Sequence, residues 1–340
     1  MIRLSNTYFK QFDPLFETAG LIFACRNADK IQNETVKALN EMGLNGEEFY
    51  SSSMPVYDEY VQTFKSQYQQ GVSDALFFDG IETGLLLLLF SLLVENKNLI
   101  HAMDTLKDSD INAEIIDSIC EMYQMKSDKH LSSDYISFID SCPFSDNEKW
   151  KLLQIMNSPK SRFQQLVDSI EANKPAFDAA QRKISAALKK LMDQYAVVVK
   201  EEKAELFGKI KKLLSNKADV YPTLAFPISQ MVFSNSCYYG LLSSLITSQD
   251  ESDHNTMLRC LKALGDASRL EILRLIKKKP MYNLEIAEQL GLTAATMSHH
   301  MSVLLTCGFV GVTKQESKVY YHLESEALRR FVKSLDKAFV

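Results

Sequence analysis

Apolar side chains recur at helical spacing through most of the first 250 residues of the chain. A helix is predicted over residues 13–28, opened by an aspartate and a proline. The run 81–96 is apolar on nearly all sides, which is typical of a helix at the centre of a core. Four isoleucines recur at steps of three and four between residues 110 and 123. This pattern predicts a long, mainly helical N-terminal domain with minor β structure.

Three segments interrupt this helical pattern. The sequence Asn173-Lys174-Pro175 is predicted to end one long helix and begin the next, because proline is tolerated in a first turn. The stripe that follows, to about Leu214, favours an ordinary bundle helix over a dedicated partner-binding helix. Residues 219–233 alternate apolar and polar positions around two prolines and predict short strands. Residues 248–255 are polar, acidic and aperiodic, so a boundary is predicted between domains 1–250 and 256–340.

The last 85 residues have the pattern of a small winged helix of the α+β class. A first helix is predicted from Leu258 to Leu264, where Gly265 ends it, and Asp266 or Ser268 is predicted to cap the second. The second helix is predicted to place a single apolar face inward, formed by Leu270, Leu273 and Ile276. A short third helix, NLEIAEQL, and a fourth, ATMSHHMSVLLT, are joined by a turn that contains glycine. Helix, tight turn and helix in this order predict a helix-turn-helix.

The fourth helix, residues 294–306, has two unlike faces. Thr293 is placed to cap it, and its buried stripe is predicted to comprise Met297, Met301, Leu304 and Leu305. The opposite face is small and polar, with imidazoles, and such groups can approach base edges and phosphates in a major groove. The candidate DNA-binding residues on this helix are Ala295, Ser298, His299 and Ser302, flanked by Thr296 and His300.

A two-stranded wing is predicted over residues 310–323. Apolar and polar positions alternate on both sides of the loop Gln315-Glu316-Ser317. Lys314 and Lys318 lie near the tip and are candidate DNA contacts. A last helix, from Glu324, carries one apolar stripe that is predicted to pack against a second copy of the chain.

This order of segments resembles the bacterial ArsR/SmtB family of winged-helix regulators. The resemblance is carried by LKALGDASRLEILRLI, NLEIAEQLGLTAATMSHHMSVLLTCGFV and KVYYHL, and it covers about a quarter of the chain, residues 256–340. It implies homodimerisation through the first and last helices of the C-terminal domain, insertion of the fourth helix into the major groove, and a wing that touches the flanking DNA. A dimer with two such helices implies a palindromic operator with half-sites about 34 Å apart.

Two departures from that family argue against metal sensing at its usual places. The third helix, NLEIAEQL, has no cysteine, although the family's thiolate site is a cysteine-rich run there. The last helix, SEALRRFVKSLDKAFV, has no histidine to complete the family's other site. No metal and no cofactor are therefore expected.

Charge and cysteine distribution refine the picture. From His254 onward there are 13 Lys and Arg against 8 Asp and Glu, a formal charge of +5, whereas the preceding residues have 25 against 35, a charge of −10. Basic residues concentrated in one domain, while the rest of the chain is acidic, are typical of a protein that binds a polyanion. The six cysteines are scattered without a CxxC motif, which indicates a reducing compartment. With no signal sequence at the start and no apolar run of about 20 residues, a cytoplasmic protein without membrane contact is expected.

Several side chains keep two interpretations. Arg269 is equally consistent with a phosphate contact and with an ion pair inside the fold. His299 and His300 are adjacent on a helix and point about 100° apart, which favours DNA contact over chelation. Cys260 and Cys307 are expected to be inert core residues, with a redox switch as the alternative, and Trp150 is expected in the core.

Three functions compete at this level. The favoured one is a homodimeric DNA-binding regulator, with repression expected, whose residues 1–250 sense an unidentified effector or support oligomerisation. An enzyme with a DNA-binding tail is disfavoured, because nucleotide-binding, nucleophile-elbow and zinc-protease motifs are missing from the sequence. The third is a protein-interaction module that uses the winged helix for dimerisation.

Overall fold

The computed structural model describes most of the 340 residues. Outside the description lie residues 1–10, 43, 97, 124, 126–134, 201–218, 234, 248–253, 293 and 316–317. The backbone is described, but the side chain is not, at residues 83, 98, 101, 198–200, 247, 254–255, 284, 294–295, 298–299, 314–315 and 318.

The described chain is mainly α-helical, with two small sheets, as predicted. In chain order the helices are α1 (Pro14–Arg26), α2 (Ala28–Glu41), α3 (Gly46–Ser53), α4 (Pro55–Lys65), α5 (Asp74–Phe78), α6 (Thr83–Glu95), α7 (Asn98–His101), a 3₁₀ turn (Met103–Thr105), α8 (Asp108–Tyr123), α9 (Tyr135–Ser141), α10 (Asp146–Asn157), α11 (Pro159–Lys183), α12 (Ser185–Lys200), α13 (Ser243–Thr247), α14 (His254–Leu264), α15 (Ala267–Lys278), α16 (Asn283–Leu290), α17 (Ala294–Thr306) and α18 (Ser325–Phe339). The strands are β1 (Asp219–Thr223), β2 (Gln230–Val232), β3 (Ser236–Gly240), β4 (Met281–Tyr282), β5 (Val310–Gln315) and β6 (Lys318–Leu323). Helices are thus predicted well where the apolar spacing is strong.

The chain folds into two compact units. The first comprises the described residues within 1–28, 56–188 and 217–240, and the second those within 29–55, 189–216 and 241–340. The boundary was predicted at residues 248–255, of which residues 248–253 lie outside the described residues.

The first unit is a helical assembly with one small sheet. Helix α1 begins where the Asp13 carboxylate accepts a hydrogen bond from the Leu15 N–H at 3.0 Å, a standard N-cap. The Phe16 ring stacks on Tyr238 with 3.7 Å between ring centroids and contacts Phe90 of α6 at 4.7 Å. The strand order is β1-β3-β2, with β1 parallel and β2 antiparallel to β3. The short strands predicted in residues 219–233 are confirmed.

A buried carboxylate joins the first helix to the end of the first strand. Glu17 is fully buried and accepts hydrogen bonds from the hydroxyl groups of Tyr60, at 2.9 Å, and Thr223, and from the N–H groups of Leu224 and Ala225, each at 3.2 Å. Burial raises the pKa of this carboxyl to about 7, although the hydrogen bonds act in the opposite direction. These groups satisfy a charge that burial would otherwise strongly disfavour.

The predicted helix break at Pro175 is wrong. Helix α11 continues through it to Lys183, and Ile184 is the C-cap. A proline in a helix removes one backbone donor and crowds the preceding turn. Here the turn before Pro175 is held by Asn173, whose amide accepts from the Gln69 N–H at 2.8 Å and donates to the carbonyls of Gln69 at 2.8 Å and Ser169 at 2.9 Å. The two bonds to Gln69 therefore connect the turn before the proline to a segment far along the chain.

The prediction that Trp150 lies in the core is also wrong. Its side chain is 61% exposed on α10. The buried stripe of this helix is formed by Leu152, Ile155 and Met156. Because successive helical residues are about 100° apart, Trp150 and Leu152 point in directions about 160° apart, on nearly opposite sides of the helix. The apolar partners at steps of three and four, not the size of one ring, determine which face is buried.

The winged helix lies in the second unit, and its helices surround one apolar core. Its fully buried members are Ile272, Ile276, Ile286, Met297, Leu304, Phe309 and Val310, among others. The Phe309 and Phe331 rings meet edge to face at 5.5 Å, which attaches the last helix to this core. The predicted helix from Leu258 to Leu264 is present and begins earlier, at His254.

Helix α15 shows one further difference from the predicted inward face. Leu273 and Ile276 are buried as predicted, but Leu270 is 40% exposed, and Ile272 is buried instead. The reason is that Arg269 turns inward to the end of α14, so its neighbour Leu270 lies outside.

None of the described helices is long and apolar enough to cross a membrane.

Candidate nucleic-acid interface

A tight turn joins α16 to α17. Gly291 is in the left-handed region, with φ of 65°, and its N–H caps the carbonyls of Ala287 and Glu288. The next N–H, of Leu292, donates to the Ala287 carbonyl at 2.9 Å. A glycine at this position ends the helix without the strain that a side chain would add. The predicted cap, Thr293, lies outside the described residues.

One face of α17 is anchored in the core. Met297, Met301 and Leu304 are at most 2% exposed, and Leu305 is partly buried against the same core, as predicted. Val303 is also buried, which the spacing did not indicate. The helix ends at Thr306, and Gly308, two residues later, is another left-handed residue, with φ of 74°. Because four apolar side chains fix its rotation, the opposite face of α17 has a defined direction.

That opposite face carries the candidate DNA contacts. Thr296 and Ser302 are exposed. The helical backbone places positions 295, 298, 299 and 302 within about 100° of one another around the axis. The side chains of Ala295, Ser298 and His299 lie outside the described part of the structure.

His300 is directed toward the protein. Its ring is 12% exposed, and Nδ1 lies 3.8 Å from a carboxylate oxygen of Asp266. Asp266 is also the N-cap of α15, accepting a hydrogen bond from the Arg269 N–H at 2.9 Å. The sequence contains both residues, but they are 34 positions apart, so their contact could not be predicted. His300 thus links α17 to the start of α15.

The wing is a three-stranded sheet of order β4-β6-β5, with both pairings antiparallel. Its register places Gln315 opposite Lys318, so positions 314 and 318 lie together at one end of the hairpin. The backbone of Lys314 and Lys318 is described, whereas their side chains and residues 316–317 are not. This register agrees with the predicted position of the two lysines near the tip of the wing.

A glycine in β5 makes room for polar contacts on the wing. A Cβ at Gly311 would lie 2.3 Å from Glu324 Oε1 and 2.4 Å from His322 Nε2. The imidazole Nε2 lies 3.4 Å from Glu324, and its Nδ1 shares a 3.2 Å hydrogen bond with the Thr313 hydroxyl. The wing is thereby connected to the residue that precedes α18, and sequence analysis did not single out these residues.

Arg269 has a structural role. Its side chain is only 10% exposed, its Nε donates to the Ala263 carbonyl at 2.9 Å, and an Nη donates to the Lys262 carbonyl at 3.2 Å. The Asp266 carboxylate is 4.0 Å away. These carbonyls end α14 and would otherwise lack partners. Of the two interpretations from the sequence, the structure supports the contact within the fold.

Replacing Arg269 by alanine is expected to lower the stability of the winged helix by about 2–3 kcal/mol, since hydrogen bonds from a charged group contribute about 1.5–3 kcal/mol. Chemical denaturation followed by circular dichroism measures this loss. Arg274→Ala, on the exposed face of the same helix, is the matched control. A stable Arg269→Ala protein that has lost only DNA affinity would instead assign Arg269 to phosphate binding.

The remaining basic and aromatic side chains of the domain face solvent or contribute to packing. Lys277, Lys278 and Lys279 are exposed, and Lys279 Nζ lies 2.6 Å from Glu285. The Tyr320 ring meets Tyr282 at 6.1 Å across the wing.

Within the described part of the chain, no three His, Cys, Asp or Glu side chains converge as a metal site.

Comparisons with known proteins agree with this geometry. A family model described as "Bacterial regulatory protein, arsR family" matches residues 266–312. The probable mercury resistance operon repressor of Streptomyces lividans is 32% identical over 83 residues, covering 24% of this chain and 66% of that repressor. The arsenical resistance operon repressor of Staphylococcus aureus is 33% identical over 76 residues, covering 22% of this chain and 73% of that repressor.

A third relative comes from an archaeon. An uncharacterized HTH-type transcriptional regulator of Methanocaldococcus jannaschii is 30% identical over 77 residues, covering 22% of this chain and 86% of the regulator. The chain spans just under two thirds of the Streptomyces repressor. No solved structure matches the chain. From the family model and from relatives that are at least 30% identical and covered over more than two thirds of their length, the chain belongs to the arsR family of bacterial regulatory proteins.

Proposed function

We propose that this protein is a DNA-binding transcriptional regulator that acts as a repressor in the cytoplasm and carries out no catalysis. Helix α17, residues 294–306, enters the major groove of a palindromic operator, and the wing, residues 310–323, contacts the flanking backbone. The residues proposed to touch DNA are Thr293, Ala295, Thr296, Ser298, His299, Ser302, Lys314 and Lys318. His300, which the sequence also suggested as a DNA contact, faces Asp266 instead and is proposed to position α17. Residues 1–250 are proposed to bind an effector or to support oligomerisation.

The observation that carries this proposal is the fixed orientation of α17. Its apolar side is anchored by Met297, Met301 and Leu304, so its small polar side is presented on a rigid element. Rigid presentation matters because base contacts need positions accurate to a fraction of an ångström. The domain charge of +5 from His254 onward adds the non-specific attraction to phosphates.

The homodimer is proposed to form through α14 and α18. These helices contact each other in one chain and still expose large apolar side chains: Leu258 and Leu261, each 39% exposed, Val332, 61%, and Phe339, 77%. Neighbouring exposed apolar side chains are typical of an interface. A dimer of this kind supplies two α17 helices, as a palindromic operator requires.

Mobility shift of the purified protein on its own promoter DNA tests the proposal. The salt concentration is varied, and an unrelated duplex is the competitor. Sequence-selective binding that weakens steeply with salt is expected, together with a dimeric mass by light scattering. Absence of selectivity at every salt concentration would favour the protein-interaction module.

Lys318→Ala is expected to weaken binding to specific and unrelated duplexes alike and to reduce the slope of log affinity against log salt by about one unit. The reason is that a phosphate contact carries no sequence information. Lys174→Ala, which removes the same charge from α11 of the first unit, is the control. A reduction in affinity confined to the operator would show that Lys318 contacts a base.

A further inference from the structure

Three polar side chains connect the end of α14 to the middle of α17. Arg269, on α15, donates from Nε to the Ala263 carbonyl at 2.9 Å and from an Nη to the Lys262 carbonyl at 3.2 Å. One oxygen of the Asp266 carboxylate accepts from the Arg269 N–H at 2.9 Å and caps α15. The same oxygen lies 3.8 Å from Nδ1 of His300. A continuous row of polar contacts therefore runs from α14 through the start of α15 to α17.

His300 lies on a flank of α17, beside its buried stripe. Successive helical positions are about 100° apart, so position 300 lies about 40° from the buried Leu304, on the other side of the stripe from positions 298 and 302. The ring is 12% exposed and faces the Asp266 carboxylate. The negative charge of that carboxylate favours a proton on the imidazole nitrogen that faces it. His300 is thus held from the side of the protein and not from the side of DNA.

The apolar stripe of α17 determines which face is buried, and the polar contact adds a direction to that packing. Met297 and Met301 are flexible side chains that adapt to small rotations of a helix, and apolar burial is itself non-directional. The attraction between His300 and Asp266 weakens as the two groups separate, so it resists a rotation of α17 that would part them. Such a rotation matters, because recognition needs side chains placed within about 0.5 Å.

The other end of this row of contacts lies at the helix proposed for dimerisation. Helix α14 exposes Leu258 and Leu261, which belong to the proposed interface. In a two-fold dimer, the position of each α17 relative to α14 determines how far apart the two α17 helices lie. That separation has to match the distance between half-sites, about 34 Å for one turn of DNA.

We infer that His300 is a positioning residue which, through Asp266 and Arg269, holds α17 in place relative to α14 and thereby determines the half-site spacing that the dimer accepts. The inference rests on the proposed function, because it takes α17 as the helix that reads DNA and α14 as part of the dimer interface. His300 acts through Asp266 and makes no contact with DNA.

Fluorescence anisotropy of the full-length protein on three labelled duplexes tests this role. The duplexes are the operator and two derivatives in which one base pair is inserted or removed between the half-sites. The wild type is expected to bind each derivative at least about fivefold more weakly, which is the lower end of the cost of one mismatched base pair.

His300→Ala is expected to bind the operator at least about fivefold more weakly than the wild type and to differ little among the three duplexes. The reason is that α17 is then free to take several positions relative to α14. The affinity for an unrelated duplex and its salt dependence are expected to remain unchanged, because the phosphate contacts are retained.

Two further substitutions identify which imidazole nitrogen is needed. The side-chain amide of asparagine reaches the position of Nδ1, whereas that of glutamine reaches the position of Nε2. Nδ1 faces Asp266, so His300→Asn is expected to restore most of the wild-type spacing preference. His300→Gln is expected to behave as His300→Ala does. A general contribution of the ring to stability would not separate the two variants in this way.

Asp266→Asn tests the partner of His300. Asparagine also caps helices well, so α15 is expected to stay capped, whereas the negative charge that faces the imidazole is lost. A weakened spacing preference, like that of His300→Ala, is expected. Glu271→Gln is the control, because it removes a carboxylate that pairs with Arg274 on the exposed face of the same helix. It is expected to keep the wild-type preference.

Circular dichroism and light scattering check that each variant is folded and dimeric. A wild type that selects its operator, together with a folded His300→Ala dimer of unchanged spacing preference, would overturn the positioning role alone. Equal behaviour of His300→Asn and His300→Gln would also overturn it, and this contrast decides if His300→Ala does not fold. A wild type without operator selectivity would overturn the proposed function and the positioning role with it.

Discussion

The double variant Ser298→Ala and His299→Ala is expected to bind operator DNA more weakly, by about 5- to 150-fold for each base that the variant no longer recognises. This factor corresponds to the roughly 1–3 kcal/mol of discrimination that a good side-chain contact to a base provides. Both positions lie on the face of α17 opposite its buried stripe. Alanine favours helix formation, so the helix itself is expected to remain intact.

Fluorescence anisotropy on labelled operator and on a scrambled duplex measures this effect. The affinity for the scrambled duplex is expected to change less, because phosphate contacts remain. Unchanged operator affinity in a dimer of normal mass would show that another face of the domain recognises DNA.

A second substitution on the same face tests whether DNA phosphates approach this face. Ser302 is exposed at the centre of the face, and Ser302→Glu places a carboxylate where phosphates are proposed to approach. Loss of binding to both duplexes is expected. Gln164→Glu, on an exposed position of α11, gives the same change in net charge away from the winged helix and is expected to bind normally.

The winged helix was largely predictable because its signals are local. Asp266 caps α15, Gly291 ends α16 and Gly308 follows the end of α17, both in the left-handed region, and Met297 and Met301 are buried. Each of these outcomes depends on residues within about four positions, for which helix spacing and capping rules suffice. The candidate face of α17 follows from the same spacing.

The features of the N-terminal region that were not predicted correctly involve contacts between residues far apart in the sequence. Pro175 lies inside a continuous helix, and Asn173, two positions earlier, is bonded to Gln69, which is 104 positions away. The parallel pairing of β1 with β3 could not be predicted either, because the alternation of apolar and polar residues along one strand does not indicate which strand it pairs with. Local spacing identifies a buried face, but it does not identify the partner that buries it.

The role of Arg269 was undecidable for a related reason. Its sequence neighbours offered Asp266 and Glu271 as partners, whereas its closest contacts are the carbonyls of Lys262 and Ala263. Every residue has a backbone carbonyl, so a contact to a carbonyl cannot be predicted from the types of residue in the sequence. Candidate DNA contacts made by arginine therefore need the structure before they can be assigned.

Glu17 is expected to make the stability of the first unit depend on pH between about 4.5 and 7. Its pKa rises from 4.5 in the unfolded chain to about 7 in the fold, so the folded state binds more protons in this range. Stability from this group is then fully present below pH 4.5 and is lost as pH rises through 7. A shift of this size corresponds to about 3 kcal/mol.

The variant Glu17→Gln isolates this contribution, because a side-chain amide does not titrate. Its N–H₂ group would also face donors in place of one carboxyl oxygen, among them the Ala225 N–H. A buried donor left without a partner costs about 1–3 kcal/mol, so the variant is expected to be less stable at pH 5. The gap between wild type and variant is expected to narrow by about 3 kcal/mol on going to pH 8.

Urea unfolding at several pH values, followed by the fluorescence of Trp150, measures that gap. Trp150 is the only tryptophan of the chain and lies on α10, so its signal reports the first unit. Glu114→Gln, at an exposed position of α8, gives the baseline for loss of one carboxylate. Parallel stability curves for wild type and Glu17→Gln would mean that Glu17 titrates alike in both states, and its hydrogen bonds would then offset its burial completely.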